Sequence, residues 1–195
     1  MSTDFEDYAV KLSDLLRNRE WADVEKLADA LFDAWENGSK VLLCGNGGSA
    51  GNAIHLANDF LYGVGGGRHP GLNVEALPAN PAVLTCLAND VGYESIFASQ
   101  IEVKGAANDL LVILSGSGNS ENVVNALKIA KDKGLNSFAI LGFDGGVCKD
   151  LADHVIHLGI EDMQISEDFQ LIVGHMCMQY LSQRISRFPV AARSH

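Results

Sequence analysis

Leu110-Leu111-Val112-Ile113-Leu114-Ser115-Gly116-Ser117-Gly118-Asn119-Ser120, running on into Glu121-Asn122-Val123-Val124-Asn125-Ala126-Leu127, decides the fold. An apolar run without polar alternation reads as a parallel strand covered on both faces. It breaks into glycine and serine, and a helix follows with apolar positions at 123, 124, 127 and 130. Glycines permit a tight turn, serines supply hydroxyl donors, and a helix start offers unpaired N–H groups and positive dipole. Together these suit a dianionic phosphate. The plainer alternative is a strand-to-helix turn in which serine merely caps the helix.

The same device occurs earlier. Lys40-Val41-Leu42-Leu43-Cys44 leads into Gly45-Asn46-Gly47-Gly48-Ser49-Ala50-Gly51, then into a helix holding Asn52 to Leu61. Aligning the turns superposes Val41 on Val112, Gly45 on Gly116, Gly47 on Gly118 and Ser49 on Ser120. Two such turns at strand ends place a ligand in the crevice above a sheet. Gly45-x-Gly47-x-x-Ala50 also fits a loose dinucleotide fingerprint, with Glu75 where a ribose-binding acid would stand. The second, serine-bearing turn and the glycines at 63–67 argue against it, and no nucleotide cofactor is expected.

Three further strands are expected: Leu72 to Leu77, Ser137 to Leu141, and His154 to Leu158. Residues 3–36 read as helix with a break near Asn18, ended by Asn37-Gly38. Ala82 to Asn89, Tyr93 to Ile101 and Met163 to Phe188 keep helical spacing, whereas Tyr62 to Gly71 reads as a glycine-rich loop. Strands alternating with helices predict an α/β fold, a three-layer doubly wound parallel sheet of five strands, flavodoxin-like. One domain is expected over residues 1–195, with a helical arm at 1–38, the α/β core at 39–188 and a tail at 189–195.

Composition bounds the function. Of 195 residues 47% are apolar and 20% charged, which excludes disorder. The formal charge of −11 argues against nucleic acid or an anionic membrane as partner, so an anionic ligand needs local donors. Cys44, Cys86, Cys148 and Cys177 form neither a zinc knuckle nor a disulfide framework. No apolar run reaches the ~18 residues of a membrane span. A cytoplasmic protein is expected.

Three motifs carry a resemblance: Gly45-Asn46-Gly47-Gly48-Ser49, Leu87-Ala88-Asn89-Asp90-x-Gly92-Tyr93-Glu94-x-x-Phe97, and Ser115-x-Ser117-Gly118-Asn119-Ser120. In this order they resemble the sugar-isomerase (SIS) family, and within it the phosphoheptose isomerase branch, from the N-terminal helix to about Leu181. The resemblance implies the SIS fold and a cradle in which Ser115, Ser117 and Ser120 wrap a sugar phosphate. Asn46, Gly47 and Ser49 line the same site, and Asn89 and Asp90 match positions that contact the sugar. It implies exchange between sedoheptulose 7-phosphate and a D-glycero-D-manno-heptose 7-phosphate, in heptose biosynthesis for lipopolysaccharide or capsule. It also implies a homotetramer with sites completed by neighbouring subunits.

Such isomerisation moves a proton between adjacent carbons through an enediol and needs a base and an acid. His55 and Asp59 share a helix face one turn apart, and His175 lies in the last helix with Glu167 two turns before it. By resemblance His55, Asp59, Glu167 and His175 are zinc ligands, and Asp59 and His175 are base and acid. Asp168 is a rival to Glu167, standing closer to the helical face of His175. The chain departs from the family at four points: Asp59 replaces a glutamate, Glu167 a glutamine, Gly63 an arginine, and Gln164 an acid. A non-catalytic SIS protein, binding sugar phosphate or a replication-initiator partner, is the alternative; the retained acid and base pairs favour the enzyme.

Overall fold

Five parallel strands lie in the order β2-β1-β3-β4-β5, in a computed structural model that describes residues 4–189. They are β1 (Lys40–Gly45), β2 (Asn73–Ala76), β3 (Leu110–Ser115), β4 (Asn136–Leu141) and β5 (His154–His157). β3 sits at the centre with all its residues buried, as its unbroken apolar run requires. It pairs in register with β1, Leu42 opposite Leu111, and with β4, Leu111 opposite Ser137. The order reverses between β1 and β3, which makes their C-terminal ends the topological switch point of the sheet.

The helices are α1 (Asp4–Arg17), α2 (Ala22–Asn37), α3 (Gly48–Asn58), α4 (Pro81–Asp90), α5 (Ala98–Lys104), α6 (Glu121–Lys133), α7 (Gly146–Leu151) and α8 (Met163–Ile185). Alternate strand residues point to opposite faces, so the core has two halves. Val41, Leu43, Val112 and Leu114 pack against α2, α3 and α8. Leu42, Cys44, Leu111 and Ile113 pack beneath α5 and α6. On α8 the buried residues Ile165, Phe169, Val173, Cys177, Leu181 and Ile185 recur every fourth position and form one continuous stripe.

The arm divides at the expected break. α2 buries Val24, Leu27, Ala28, Leu31 and Phe32 on the domain and stops at Gly38, whose φ of 72° is the left-handed cap. α1 buries no residue and only half-covers Tyr8, Leu12, Leu15 and Leu16 against the core. Tyr8 donates to Asp168 Oδ2 on α8, and Lys11 pairs with Asp162, which caps that helix, at 2.8 Å. Part of the expected tail, residues 190–195, lies outside the described residues.

Local corrections concern glycine. The helix after the first turn starts at Gly48 rather than Asn52, because Gly47 (φ 56°) reverses the chain in one residue. α3 then widens into a π-helical turn over Asp59–Gly63, so the expected loop begins later than Tyr62. Tyr93 to Ile101 is not one helix: a 3₁₀ turn, Tyr93–Ser95, precedes α5. Glu75, the ribose-acid position of the dinucleotide alternative, is ion-paired to Lys104. Among the described residues no helix is long and apolar enough to cross a membrane.

Candidate active site

The two glycine turns meet where β1 and β3 end. Between them lies a cavity of about 250 Å3, lined by Asn46, Gly47, Ser49, Ser115, Ser117 and Ser120, with Met163 and Glu167 closing it from α8. Gly118 (φ 66°) shapes the second turn: an added Cβ there would run into the Gly145 carbonyl. A larger hollow of about 390 Å3, with Asp33, Asn37, Asn108 and Asn136, opens at the opposite end of the strands. It has no turn-and-helix-start pair, and ligands of such sheets bind at the carboxyl ends.

Three serines of the cradle are held by bonds from the protein. Ser49 Oγ accepts from Gln170 Nε2 at 3.0 Å, Ser115 Oγ from the Gly118 N–H at 3.0 Å, and Ser117 Oγ from the Asn119 N–H at 3.3 Å. Each of these three hydroxyls thus accepts one bond from the protein and keeps its own proton to donate. Ser120 stands at the N-cap position of α6 but makes no side-chain cap bond, so the plainer capping role does not occupy its hydroxyl. The starts of α3 and α6, at Gly48 and Ser120, border the same space, and helix N-termini favour anions.

Asn89 and Asp90 do not line this cavity. They lie exposed at the end of α4, with Asn89 Nδ2 donating to Asp90 Oδ1 at 2.7 Å. Their segment is nonetheless tied to the cradle, because the Tyr93 hydroxyl donates to Asn46 Oδ1 at 2.9 Å.

The second group lies where α3 and α8 cross. His55 Nε2 and His175 Nε2 are 3.0 Å apart, and Asp59 Oδ2 is 3.4 Å from each. The histidine side chains are 49% and 44% exposed and Asp59 is 19% exposed. Gly174 permits the crossing: a Cβ there would overlap the buried Leu56, the neighbour of His55. Among the described residues these are the one set of three candidate metal ligands within 4.8 Å of one another. Ligands around a tetrahedral zinc, bonded at ~2.0–2.1 Å, stand about 3.3 Å apart. Two imidazoles and a carboxylate at these separations fit such an ion and leave a coordination position open.

Glu167 does not join that set. It lies two turns from His175, about 12 Å along α8 at 1.5 Å per residue. Its carboxylate lies against Gly48 in the first turn of α3, inside the serine-lined cavity. The rival Asp168 accepts from Tyr8, and Gln164 is exposed. Gly63 abuts Met178, so a side chain there must displace it.

The sequence reading missed three residues. Asn122 is 1% exposed and exchanges amide hydrogen bonds with Asn46. Gln170, also 1% exposed, joins Ser49 to Asn52. Met163 roofs the Gly116 turn. For Gln170 a signal existed: it falls four residues after Ser166 and four before Gly174, a small and polar track beside the apolar stripe of α8.

The sequence and the fold are similar to those of known proteins. A phosphoheptose isomerase of Chlorobaculum tepidum is 37% identical over 180 residues, covering 90% of this chain and 85% of that one. Another, from Aneurinibacillus thermoaerophilus, is 34% identical over 164 residues, covering 84% and 82%. The solved phosphoheptose isomerase of Francisella tularensis superposes with a TM-score of 0.86 at 26% identity, over 92% of this chain and 95% of that one. The SIS domain family model matches residues 4–142, from α1 through both glycine turns to the end of β4. With its cradle at the β1/β3 switch point and relatives of this identity over most of its length, the chain belongs to the SIS domain family.

Proposed function

We propose that the protein is a phosphosugar aldose–ketose isomerase that converts sedoheptulose 7-phosphate to a D-glycero-D-manno-heptose 7-phosphate. The observation that carries this reading is the pairing, in one chain, of a serine-lined cavity at the β1/β3 switch point with a His–Asp–His group where α3 and α8 cross. The phosphoheptose isomerase names of the relatives support the substrate class.

In the open-chain ketose, the Asp59 carboxylate removes a proton from C1. The C–H electrons form the C1–C2 double bond as the C2 carbonyl oxygen takes a proton from His175, giving the enediol. Return of the Asp59 proton to C2 and removal of the O1 proton by His175 completes the aldose, with atoms and charge conserved. The cradle serines hold the phosphate and so orient the reacting end. His55, Asp59 and His175 would hold zinc, which supplies electrophilic polarisation of the sugar oxygens when bound.

Two observations support sites completed between copies in a homotetramer. Ser49 and Asp59 are about 15 Å apart along α3, whereas phosphorus to C1 of a heptose phosphate spans about 10 Å at ~1.2 Å per bond. Apolar surface is also left uncovered: Trp21, Val24, Ala28, Met176 and Tyr180 line a groove beside His175, and α4 buries no residue. In such an assembly Glu167 of one copy would be the candidate fourth ligand for the triad of another. The four free thiols, three of them buried, accord with a reducing cytoplasm.

The test is turnover of sedoheptulose 7-phosphate by metal-stripped protein with and without added zinc. Activity restored by zinc supports reaction, substrate and metal together. Binding of the sugar phosphate without turnover in either sample overturns the enzyme reading in favour of a binding protein.

A further inference from the structure

We infer that Asn122 and Tyr93 are positioning residues of the phosphate subsite that act through Asn46, an inference resting on the phosphosugar reading above. Asn46 Nδ2 donates to Asn122 Oδ1 at 2.8 Å, and Asn122 Nδ2 donates back to Asn46 Oδ1 at 2.9 Å. The Tyr93 hydroxyl donates to the same Asn46 oxygen at 2.9 Å. A carboxamide has two N–H donors and two acceptor lone pairs. Both lone pairs of Asn46 and one N–H are therefore occupied by the protein. What remains for the cavity is a single N–H, which suits a phosphate or sugar oxygen and never a ligand donor.

The arrangement is rigid for stated reasons. Asn122 is buried, in the first turn of the helix that the serine turn opens, and it ties the β1 turn to the β3 turn across the switch point. Asn125 Nδ2 donates to the Glu94 carbonyl at 3.2 Å and holds the Tyr93 segment on the same helix. The stretch that begins with Asn89 and Asp90 is thereby fastened to the cradle. Without Asn122, the Asn46 amide is free to turn its oxygen toward the ligand, and one donor becomes a repelling acceptor.

Asn122→Leu keeps the branched heavy-atom shape and removes both amide bonds. The dissociation constant of inorganic phosphate, measured by calorimetry, rises about fivefold to tenfold, as for loss of one net hydrogen bond. KM for sedoheptulose 7-phosphate rises by the same factor while kcat stays within about twofold, and Tyr93→Phe gives a smaller change of the same kind. In an Asn46→Ala background, Asn122→Leu has no further effect. An undiminished effect in that background overturns the inference, because Asn122 then acts on the fold rather than through Asn46. If the leucine variant does not fold, Asn122→Ser enters the same cycle.

A readout independent of phosphate is hydrogen exchange of the Asn46 side-chain amide by NMR in the ligand-free protein. Slow exchange that becomes fast in the Asn122 variant supports the inference, and equal exchange overturns it. A wild-type protein that binds no phosphate sinks the phosphosugar reading, while the exchange comparison still decides the role of Asn122.

Discussion

The Nε2 atoms of His55 and His175 face each other at 3.0 Å although the residues stand 120 positions apart in the chain. Both nitrogens share one oxygen of Asp59 at 3.4 Å. Two neutral imidazoles approach so closely when one donates and the other accepts, or when a cation lies between them. The expected outcome is one zinc per chain by calorimetry and elemental analysis, lost in both His55→Ala and His175→Ala. His175→Gln abolishes turnover with inorganic phosphate binding kept. Full activity in that variant removes His175 from the acid–base chemistry.

Gly174 sets the distance on which that pair depends. An added methyl overlaps Leu56, which is 2% exposed and has nowhere to retreat. Gly174→Ala therefore pushes α8 from α3, at about 1–3 kcal/mol for overpacking. Both the melting temperature and zinc affinity fall, whereas phosphate affinity at the far end of the helices changes little. An alanine variant with wild-type zinc affinity shows that the crossing is not what holds the ligands together.

Ser117→Ala tests the cradle. The hydroxyl accepts only a 3.3 Å bond from its own turn, so its removal leaves the backbone in place. Loss of one donor to a charged group is worth about 1.5–3 kcal/mol, or roughly a tenfold to hundredfold weaker phosphate complex. The thermal midpoint should move little. A variant that binds phosphate as the wild type does places the anion elsewhere.

What the sequence made legible follows from where its information is local. β3 announces itself because Leu110 to Leu114 has no polar member, and a strand covered on both faces tolerates none. The glycine turns were readable because Gly47 and Gly118 have φ values that few other residues adopt. His55 and Asp59 were readable as a pair because they stand one turn apart. The place of Glu167 was not: spacing along α8 fixes its face but not which neighbour its carboxylate meets, and the meeting with Gly48 depends on how α3 is docked. Asn122 was invisible for the same reason, its partner lying in another turn.

Tyr8 fastens α1 to α8 by donating to Asp168. That bond, with burial and the carboxylate charge, pushes the Tyr8 phenol up from 10.0 to about 12. The folded state thus holds its proton more tightly than the unfolded chain. The stabilisation is complete below pH 10 and is lost as pH rises toward 12. Tyr8→Phe costs about 1 kcal/mol at pH 8, allowing for partial exposure. Denaturation curves of the two proteins converge by pH 12; a difference that persists there shows that packing, not the hydrogen bond, holds α1.

Glu167 puts a negative charge beside Gly48 in the cavity that Ser117 and Ser120 also line, where the proposed function places the substrate phosphate. At about 4 Å and an effective dielectric of 20, two unit charges repel by about 4 kcal/mol, less as solvent and salt screen them. Glu167→Gln removes the charge with nearly the same shape. Inorganic phosphate then binds at least about tenfold more tightly at low salt, and the advantage shrinks toward 1 M salt as screening removes the repulsion. The competing expectation is distinct: if Glu167 of a neighbouring copy is chiefly a zinc ligand, the same substitution lowers zinc affinity and leaves phosphate affinity unchanged. Calorimetry with each ligand separates the two, and unchanged affinity for phosphate at all salt concentrations shows that the carboxylate leaves the cradle before the anion enters.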